Sequence, residues 1–177
     1  MRLKSSLFLM LLCFVQIAVA HGPSRQKVTK SIVVAAAPDV VWAAIADFCS
    51  IEKWHPAVYK CDGPGGSEIG TERTLTLGEQ GGPQILEELQ KFDAEKMSLK
   101  YKISKTDMAA LPVTTYSAFL SVAGNDDGTS TVTWRGGFYR GYMKNEPPEH
   151  LNDAAAVAAV EGVYDAGLNG IKELVEK

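Results

Sequence analysis

Few side chains in this sequence are spaced for acid–base or nucleophilic chemistry. The chain has 3 histidines, His21, His55 and His150, and they lie far apart. A Ser–His–acid arrangement would have to use His55, and the Gly-x-Ser-x-Gly turn that presents the serine of many hydrolases does not occur. Metal binding has equally little support, because no cluster of histidines and cysteines is present. We therefore expect no metal, no cofactor and no catalytic residues.

A cavity is the more promising site. Alternation along several segments between residues 71 and 122 puts a mostly apolar set of side chains on one face of a sheet. From that face, and from the Trp-His-Pro sequence ending at residue 56, we select five cavity residues: His55, Leu75, Glu87, Tyr101 and Tyr116. Ligand pockets are largely apolar with a few polar groups, so the inward-facing Glu87 is the unusual member.

The carboxylate of Glu87 needs a partner, because burying an unpaired charge is costly. Arg73 stands on the facing strand of the same predicted hairpin, near the right register. We therefore predict a structural Arg73–Glu87 ion pair in the cavity wall.

A second candidate site follows the last predicted strand. The segment 138–144 gathers aromatic, methionine and basic side chains, and tyrosine and arginine are common at the energetic centres of protein interfaces. We select Tyr139, Arg140 and Tyr142 as a partner-binding patch. The alternative is a loop that packs over the end of the C-terminal helix.

The elements that would position these residues follow a simple order. A first strand over 27–34 leads to Pro38, which opens a helix whose apolar residues recur at helical spacing as far as Phe48. A second short helical turn ends at Trp54. Six more strands are predicted at 58–61, 71–77, 85–92, 97–103, 113–122 and 129–138, the last two joined by a hairpin turn over 125–128.

One long helix closes the chain. Asn152 or Asp153 can cap it, and apolar residues over 157–175 recur at steps of three and four. Glycines within the helix, each costing up to about 1 kcal/mol relative to alanine, indicate close packing or, alternatively, space left beneath it; they are Gly162, Gly167 and Gly170. We predict an α+β fold: a curved antiparallel sheet of about seven strands around a long C-terminal helix, with two short helices after strand 1.

The first twenty residues have the features of a cleaved secretory signal peptide. Two basic residues precede an apolar run over 7–19, and residues 18–20, Ala-Val-Ala, form a small-x-small cleavage site. We predict a signal peptide over 1–20 and a single domain over 21–177, with the mature start near His21. An uncleaved anchor is the alternative.

The charge balance excludes one class of partner. Without Arg2 and Lys4, 16 of the 18 basic residues remain against 21 acidic ones, a formal charge of −5. Nucleic-acid binding needs clustered lysine and arginine, so we expect no nucleic-acid partner. We also expect no membrane span in the mature chain, because no later stretch is long and apolar enough.

Two cysteines remain after cleavage, Cys49 and Cys61. In an exported protein such a pair often forms a disulfide. The bridge would tie the end of the first helix to the start of the next strand. Two separate buried thiols are the alternative.

Four motifs in this order resemble the START-like, helix-grip superfamily, which includes polyketide cyclases, the birch-pollen allergen and the plant abscisic-acid receptors. They are Ala37-Pro38-x-x-Val41-Trp42, Trp54-His55-Pro56, Gly70-x-x-Arg73 and Leu111-Pro112-Val113 before a tyrosine-bearing strand. In the receptor branch the resemblance implies that His55, Glu87 and Tyr116 line a ligand cavity and that the loop 78–83 is its gate. The loop lacks the Ser-Gly-Leu-Pro-Ala sequence of that gate, and His55 stands where those receptors have a ligand-binding lysine. We therefore do not expect binding of their hormone, and another apolar ligand stays an alternative.

Two further segments resemble a family of periplasmic accessory proteins of methanol oxidation in methylotrophic bacteria. They are the mature start over 21–29 and the late segment with Phe138–Tyr142, Pro147-Pro148 and Ala154–Val157. The resemblance implies a periplasmic protein that supports methanol dehydrogenase and electron transfer to its c-type cytochrome, without catalysis by this chain. Binding, transport or sensing of a small apolar ligand is the alternative function, and a cyclase- or dehydratase-like enzyme is the third.

Overall fold

A computed structural model describes residues 22–177, so the predicted signal peptide lies outside the described residues. The strands are β1 (Gln26–Val34), β2 (Val58–Asp62), β3 (Glu72–Leu77), β4 (Gln84–Asp93), β5 (Ser98–Lys105), β6 (Val113–Gly124) and β7 (Ser130–Arg140). The helices are α1 (Pro38–Ile45), α2 (Ile51–Trp54) and α3 (Asp153–Val175), with a 3₁₀ turn at Glu149–Leu151 before α3.

The seven strands form one antiparallel sheet in the order β1-β7-β6-β5-β4-β3-β2. Its inner face is apolar and buried, as the alternation along β4, β5 and β6 predicts. The helix α3 covers this face, and the core lies between the two layers. The predicted fold class is therefore confirmed.

The long helix α3 is held close to the sheet. The Asn152 side chain caps it by accepting a hydrogen bond from the backbone N–H of Ala155 at 2.8 Å. A Cβ at Gly167 would lie 2.6 Å from the Trp134 ring, and a Cβ at Gly170 would overlap a carbonyl oxygen of α2, whereas Gly162 faces open space. Close packing therefore explains two of the three glycines. Among residues 22–177, none of the helices is long and apolar enough to cross a membrane.

The first helix is shorter than its apolar pattern predicts, since α1 ends at Ile45 rather than near Phe48. The carboxylate of Asp47 accepts hydrogen bonds from the backbone N–H groups of Cys49 and Gly66, both at 2.8 Å. Aspartate side chains that bond nearby backbone in this way compete with helical hydrogen bonds. Phe48 is still buried, but it lies in the bend between α1 and α2.

Candidate functional site

A small cavity of about 60 Å³ lies between the inner face of the sheet, α2 and the middle of α3. All five cavity residues selected from the sequence line it. The remaining wall is mostly apolar and consists of Ile51, Ala57, Val58, Leu77, Ile85, Ile103, Ala110, Leu111, Trp134 and Val163. Ligand pockets usually measure about 300–1,000 Å³, so this cavity has room for a few water molecules or one very small molecule.

The protein's own aromatic side chains fill the space that a larger cavity would occupy. Trp134 on β7 stacks on Tyr164 of α3 with ring centroids 4.5 Å apart. Tyr116 stacks on Phe138 with centroids 6.0 Å apart. All four side chains are at most 4% exposed, which leaves the helix seated directly on the sheet.

His55 is 4% exposed and has both ring nitrogens occupied. Its Nδ1 accepts a hydrogen bond from the backbone N–H of Ala57 at 3.2 Å, so Nε2 carries the proton and donates to the carbonyl oxygen of Val163 at 3.0 Å. Burial lowers the pKa of His55, the bond to Val163 opposes that shift, and the positive charge of Arg73 adds to it. The imidazole is therefore neutral, and it fastens α2 to α3.

The predicted ion pair between Arg73 and Glu87 is confirmed. The two residues face each other across β3 and β4, and Nε and Nη2 of Arg73 donate to one carboxylate oxygen of Glu87 at 2.7 and 2.6 Å. Arg73 also donates through Nη1 to the carbonyl oxygen of Phe48, and its guanidinium carbon lies 3.9 Å from the centroid of that ring. Burial raises the pKa of Glu87, against the charge and the hydrogen bond of Arg73. This pair joins the sheet to the bend after α1.

Three buried tyrosines form a chain of hydrogen bonds along the cavity. The Trp134 indole N–H donates to the Tyr101 hydroxyl at 3.1 Å. Tyr101 and Tyr116 hydroxyl oxygens lie 3.3 Å apart, and those of Tyr116 and Tyr164 lie 2.7 Å apart. Burial raises the pKa of each tyrosine above its usual value. The three groups are therefore neutral hydroxyls at physiological pH.

A wider groove of about 510 Å³ lies on the outer side of His55, between α2 and the C-terminal half of α3. It is open to solvent, and charged side chains of both signs line it, including Glu52, Lys53 and Glu173. We take the small apolar cavity as the candidate site, because ligands are held by burial among apolar groups with a few directed polar ones.

The loop 78–83 does not line this cavity, in contrast to the gate that the receptor branch implies. Ala110 and Leu111, from the connection between β5 and β6, close the cavity instead, and Leu111 is 4% exposed. The loop 78–83 turns outward, and part of it borders a separate surface depression together with Lys105 and Asp107.

Cys49 and Cys61 are joined in a disulfide, with Cα atoms 5.7 Å apart. Both residues are half-buried, so the alternative of two separate buried thiols does not apply. Glu52 adds a second tie between α2 and β2 by accepting the backbone N–H of Cys61 at 2.8 Å. The helical segment that carries His55 is therefore anchored to the edge of the sheet.

The predicted partner-binding patch needs one correction, because Arg140 is 5% exposed and faces inward. Its guanidinium donates to the carbonyl oxygens of Tyr142 at 2.7 Å and Lys144 at 3.0 Å, and to the carboxylate of Asp153 at 3.3 Å. Arg140 thus holds the loop after β7 against the start of α3, which matches the alternative role for this segment. Tyr139 and Tyr142 are half-buried, and partner binding by them stays a prediction.

Sequence reasoning missed two important residues of the wall, Trp134 and Leu111. Extending the alternation onto β7 would have placed Val132, Trp134 and Phe138 on the inner face. Leu111 lies in a connection without periodicity, so no pattern in the sequence marks it.

The fold and its cavity define a class of protein: a helix-grip domain with a small, mostly apolar cavity between sheet and helix. The chain belongs to the family described as polyketide cyclase / dehydrase and lipid transport, which matches residues 25–176. No curated protein matches this chain.

Several solved structures share the fold. The protein XoxI from Bacillus cereus is 26% identical, with 85% of this chain and 96% of that chain covered and a TM-score of 0.69. A protein from Thermobifida fusca is also 26% identical, with coverage of 84% and 92% and a TM-score of 0.67. The ZhuI aromatase/cyclase from Streptomyces sp. R1128 is 17% identical, with coverage of 86% and 94% and a TM-score of 0.66, a likeness that concerns the fold alone.

Proposed function

We propose that this chain is an exported accessory protein without catalytic activity, which acts by binding other proteins. One observation carries the proposal: within the described residues, each polar side chain of the cavity wall has at least one hydrogen bond to another of them or to backbone. His55 uses both ring nitrogens, Arg73 and Glu87 hold each other, and Tyr101 and Tyr116 are linked by their hydroxyls. A general base or nucleophile must reach its substrate, and His55 would first have to give up one of its two present partners.

The small cavity also favours this role over that of a carrier. A volume of about 60 Å³ is well below the size of ordinary ligand sites, which is about 300 Å³ or more. Toward α3, enlargement is opposed by the stacked rings of Trp134 and Tyr164, whose centroids lie 4.5 Å apart.

The proposed partners come from the resemblance of the segments 21–29 and 138–157 to the MxaD family. On that basis we propose a periplasmic protein that supports methanol dehydrogenase and electron transfer to its c-type cytochrome. Tyr139 and Tyr142 are the proposed contact residues, since Arg140 is occupied inside the fold.

A reconstituted assay tests this proposal. Purified methanol dehydrogenase and its c-type cytochrome are mixed with methanol, and the rate of cytochrome reduction is followed with and without this protein. We expect the wild-type chain to raise the rate and the double variant Tyr139→Ala/Tyr142→Ala to raise it less. Tyr59→Ala is the matched control, because Tyr59 is 53% exposed on the edge strand β2. No change in rate with wild type, together with no complex in a pull-down, would refute the proposal.

A second function, binding of a small apolar ligand, has one observation in its favour. The three tyrosine hydroxyls share two mutual hydrogen bonds, so one hydroxyl proton is not used by the other tyrosines and is free for another acceptor. Native mass spectrometry of protein purified without denaturation would show a retained molecule. Its loss in Ile103→Phe, which fills the cavity, would favour this function over the first.

The third function, a cyclase- or dehydratase-like reaction, requires that His55 or Glu87 act as an acid or base. Turnover of a polyketide-like substrate that is lost in both His55→Gln and Glu87→Gln would establish it. Both variants must be shown to fold, because both residues also join elements of the structure.

A further inference from the structure

The outer face of the sheet, opposite α3, carries cationic side chains that neither the cavity nor the loop after β7 uses. Across four neighbouring strands, Lys91 faces Lys100, Lys100 faces Phe119, and Phe119 faces Arg135. Two more cations lie beside this row on and before the edge strand β1. We call these residues the outer cationic band: Arg25, Lys27, Lys91, Lys100, Phe119 and Arg135.

The band is built around one aromatic ring. The Arg135 guanidinium carbon lies 4.6 Å from the centroid of Phe119, and the Lys100 ammonium lies 5.5 Å from it. A Cβ at Gly137 would lie 2.8 Å from the guanidinium of Arg25, so the absence of a side chain there lets that group lie against β7. Four residues of the band border a shallow groove of about 260 Å³: Arg25, Lys27, Phe119 and Arg135.

This arrangement is unfavourable for the isolated domain. Like charges directly opposite each other on neighbouring strands destabilise a sheet, and Lys91 faces Lys100 in this way. Among residues 22–177, none of the five cations of the band has an ion-pair partner, whereas Lys102 on the same face pairs with Glu88 at 2.7 Å. A chain with 21 acidic residues thus leaves five cations unneutralised on one surface. Unfavourable local arrangements, such as like charges that face each other, occur chiefly at functional sites.

We propose that the outer cationic band docks a folded partner protein through an acidic patch on that partner. Strands lie about 4.8 Å apart, so the band extends about 19 Å from β4 to β1, which is too wide for one small anion. Arginine and aromatic side chains are enriched at protein interfaces. Attachment to a lipid surface is strengthened by exposed apolar side chains that insert, and no large hydrophobic residue found exposed within 22–177 belongs to the band.

The inference deepens the proposed function, on which it rests for the idea that the chain acts through partners. It names the surface and the charge of the partner. A synthetic probe is used for its test, so that the result does not depend on whether methanol dehydrogenase responds.

The test measures binding of a labelled glutamate-rich peptide by fluorescence anisotropy. We expect the wild-type protein to bind it with an affinity that falls as salt is added, because exposed charges are screened. The triple variant Lys91→Gln/Lys100→Gln/Arg135→Gln should bind about tenfold more weakly or worse, since three charge contacts are lost.

A matched control removes the same charge elsewhere on the surface. Within the described residues, Lys53, Lys105 and Lys177 are exposed and are not ion-paired, and their triple substitution by glutamine should change the affinity little. Equal losses in the two variants would show that only net charge matters and would overturn the proposal, as would wild-type protein that does not bind the peptide.

Comparing the binding of other anions with that of the peptide tests whether the band recognises a protein surface. Vesicles of phosphatidylcholine with phosphatidylglycerol, a single-stranded oligonucleotide and inorganic phosphate are compared with the peptide at equal ionic strength. Weaker binding of all three supports the proposal, and tighter binding of any one of them overturns it. If the band variant loses peptide binding but still raises cytochrome reduction, the docking surface stands and the dehydrogenase contacts lie elsewhere.

Discussion

Replacing Arg73 by methionine is the most informative change to this structure. The substitution keeps an apolar stem of similar length and removes the charge that faces Glu87. Glu87 is 4% exposed, so its carboxylate would be left buried without a partner. Removing one member of a buried ion pair usually costs about 3–5 kcal/mol.

The size of the effect can be worked out from the proton that Glu87 would take up. A buried carboxylate that loses its partner becomes protonated in the folded state, and the cost at pH 7 is that of protonating a group whose ordinary pKa is about 4.3. At about 1.36 kcal/mol per pH unit, this cost is at most about 3.7 kcal/mol relative to wild type, in which burial already raises the pKa of Glu87. Losing the hydrogen bond to the Phe48 carbonyl and the contact with its ring adds about 1 kcal/mol.

The sign of the pH dependence follows from the same proton. In Arg73→Met the pKa of Glu87 in the folded state lies far above its unfolded value, so its unfavourable contribution is absent below about pH 4 and grows as the pH rises. The variant should therefore be less stable than wild type by up to about 4–5 kcal/mol at pH 7 and by up to about 2 kcal/mol at pH 5.

Urea denaturation at several pH values, followed by tryptophan fluorescence and circular dichroism, measures both quantities. The double variant Arg73→Met/Glu87→Leu should recover most of the lost stability, because an apolar pair can replace a buried ion pair. Lys102→Met is the matched control on the same sheet, and loss of its exposed pair with Glu88 should cost less than about 1 kcal/mol. A loss below about 1 kcal/mol in Arg73→Met, or one that does not change with pH, would refute this account of the pair.

Three further changes test other parts of the structure. Wild-type stability should fall as the pH drops from 7.5 to 5.5, because the pKa of buried His55 lies below its ordinary value. The unfolded chain then takes up a proton at this histidine that the folded chain does not take up. The variant His55→Gln should lack this part of the fall. Gly170→Ala should lower the free energy of unfolding by about 2 kcal/mol, since its Cβ would overlap a carbonyl oxygen of α2. Gly162 faces open space, so Gly162→Ala should raise the free energy of unfolding by up to about 1 kcal/mol. Replacing Cys49 and Cys61 by alanine should cost about 3 kcal/mol in urea denaturation, because the unfolded chain is no longer closed into a loop; unchanged stability would mean that the bridge does not constrain it.

The strands and their inner face were predictable because alternation is a local property of the sequence. Leu75, Tyr101 and Tyr116 point inward for the same reason, and the Arg73–Glu87 pair follows once β3 and β4 are recognised as a hairpin. In each case the residues that contact each other are close in the sequence or related by a register that a short turn fixes.

His55 and Arg140 show where local reasoning fails. His55 is selected from the sequence as a cavity residue, but nothing local indicates that its Nε2 bonds Val163, which is 108 residues away. Arg140 was predicted on a surface, but Asp153 and the loop after β7 hold it inside. No pattern in the sequence indicates these contacts, because they depend on where the last helix meets the sheet.

The outer cationic band is a further case. Its residues lie on or beside five strands and are separated by as many as 110 residues, so they form no run of basic residues in the sequence. The acidic composition of the chain also conceals them. Only the register of β1, β4, β5, β6 and β7 brings them together.

The sequence alone determined the order of the elements, the inner face of the sheet and the α+β fold, because these depend on periodicity and turn residues within short segments. The tertiary structure alone decided how much space remains inside and which polar groups are free. Cavity volume and hydrogen bonding depend on how closely α3 approaches the sheet, and small residues such as Gly167 set that distance only through contacts with residues distant in sequence, such as Trp134.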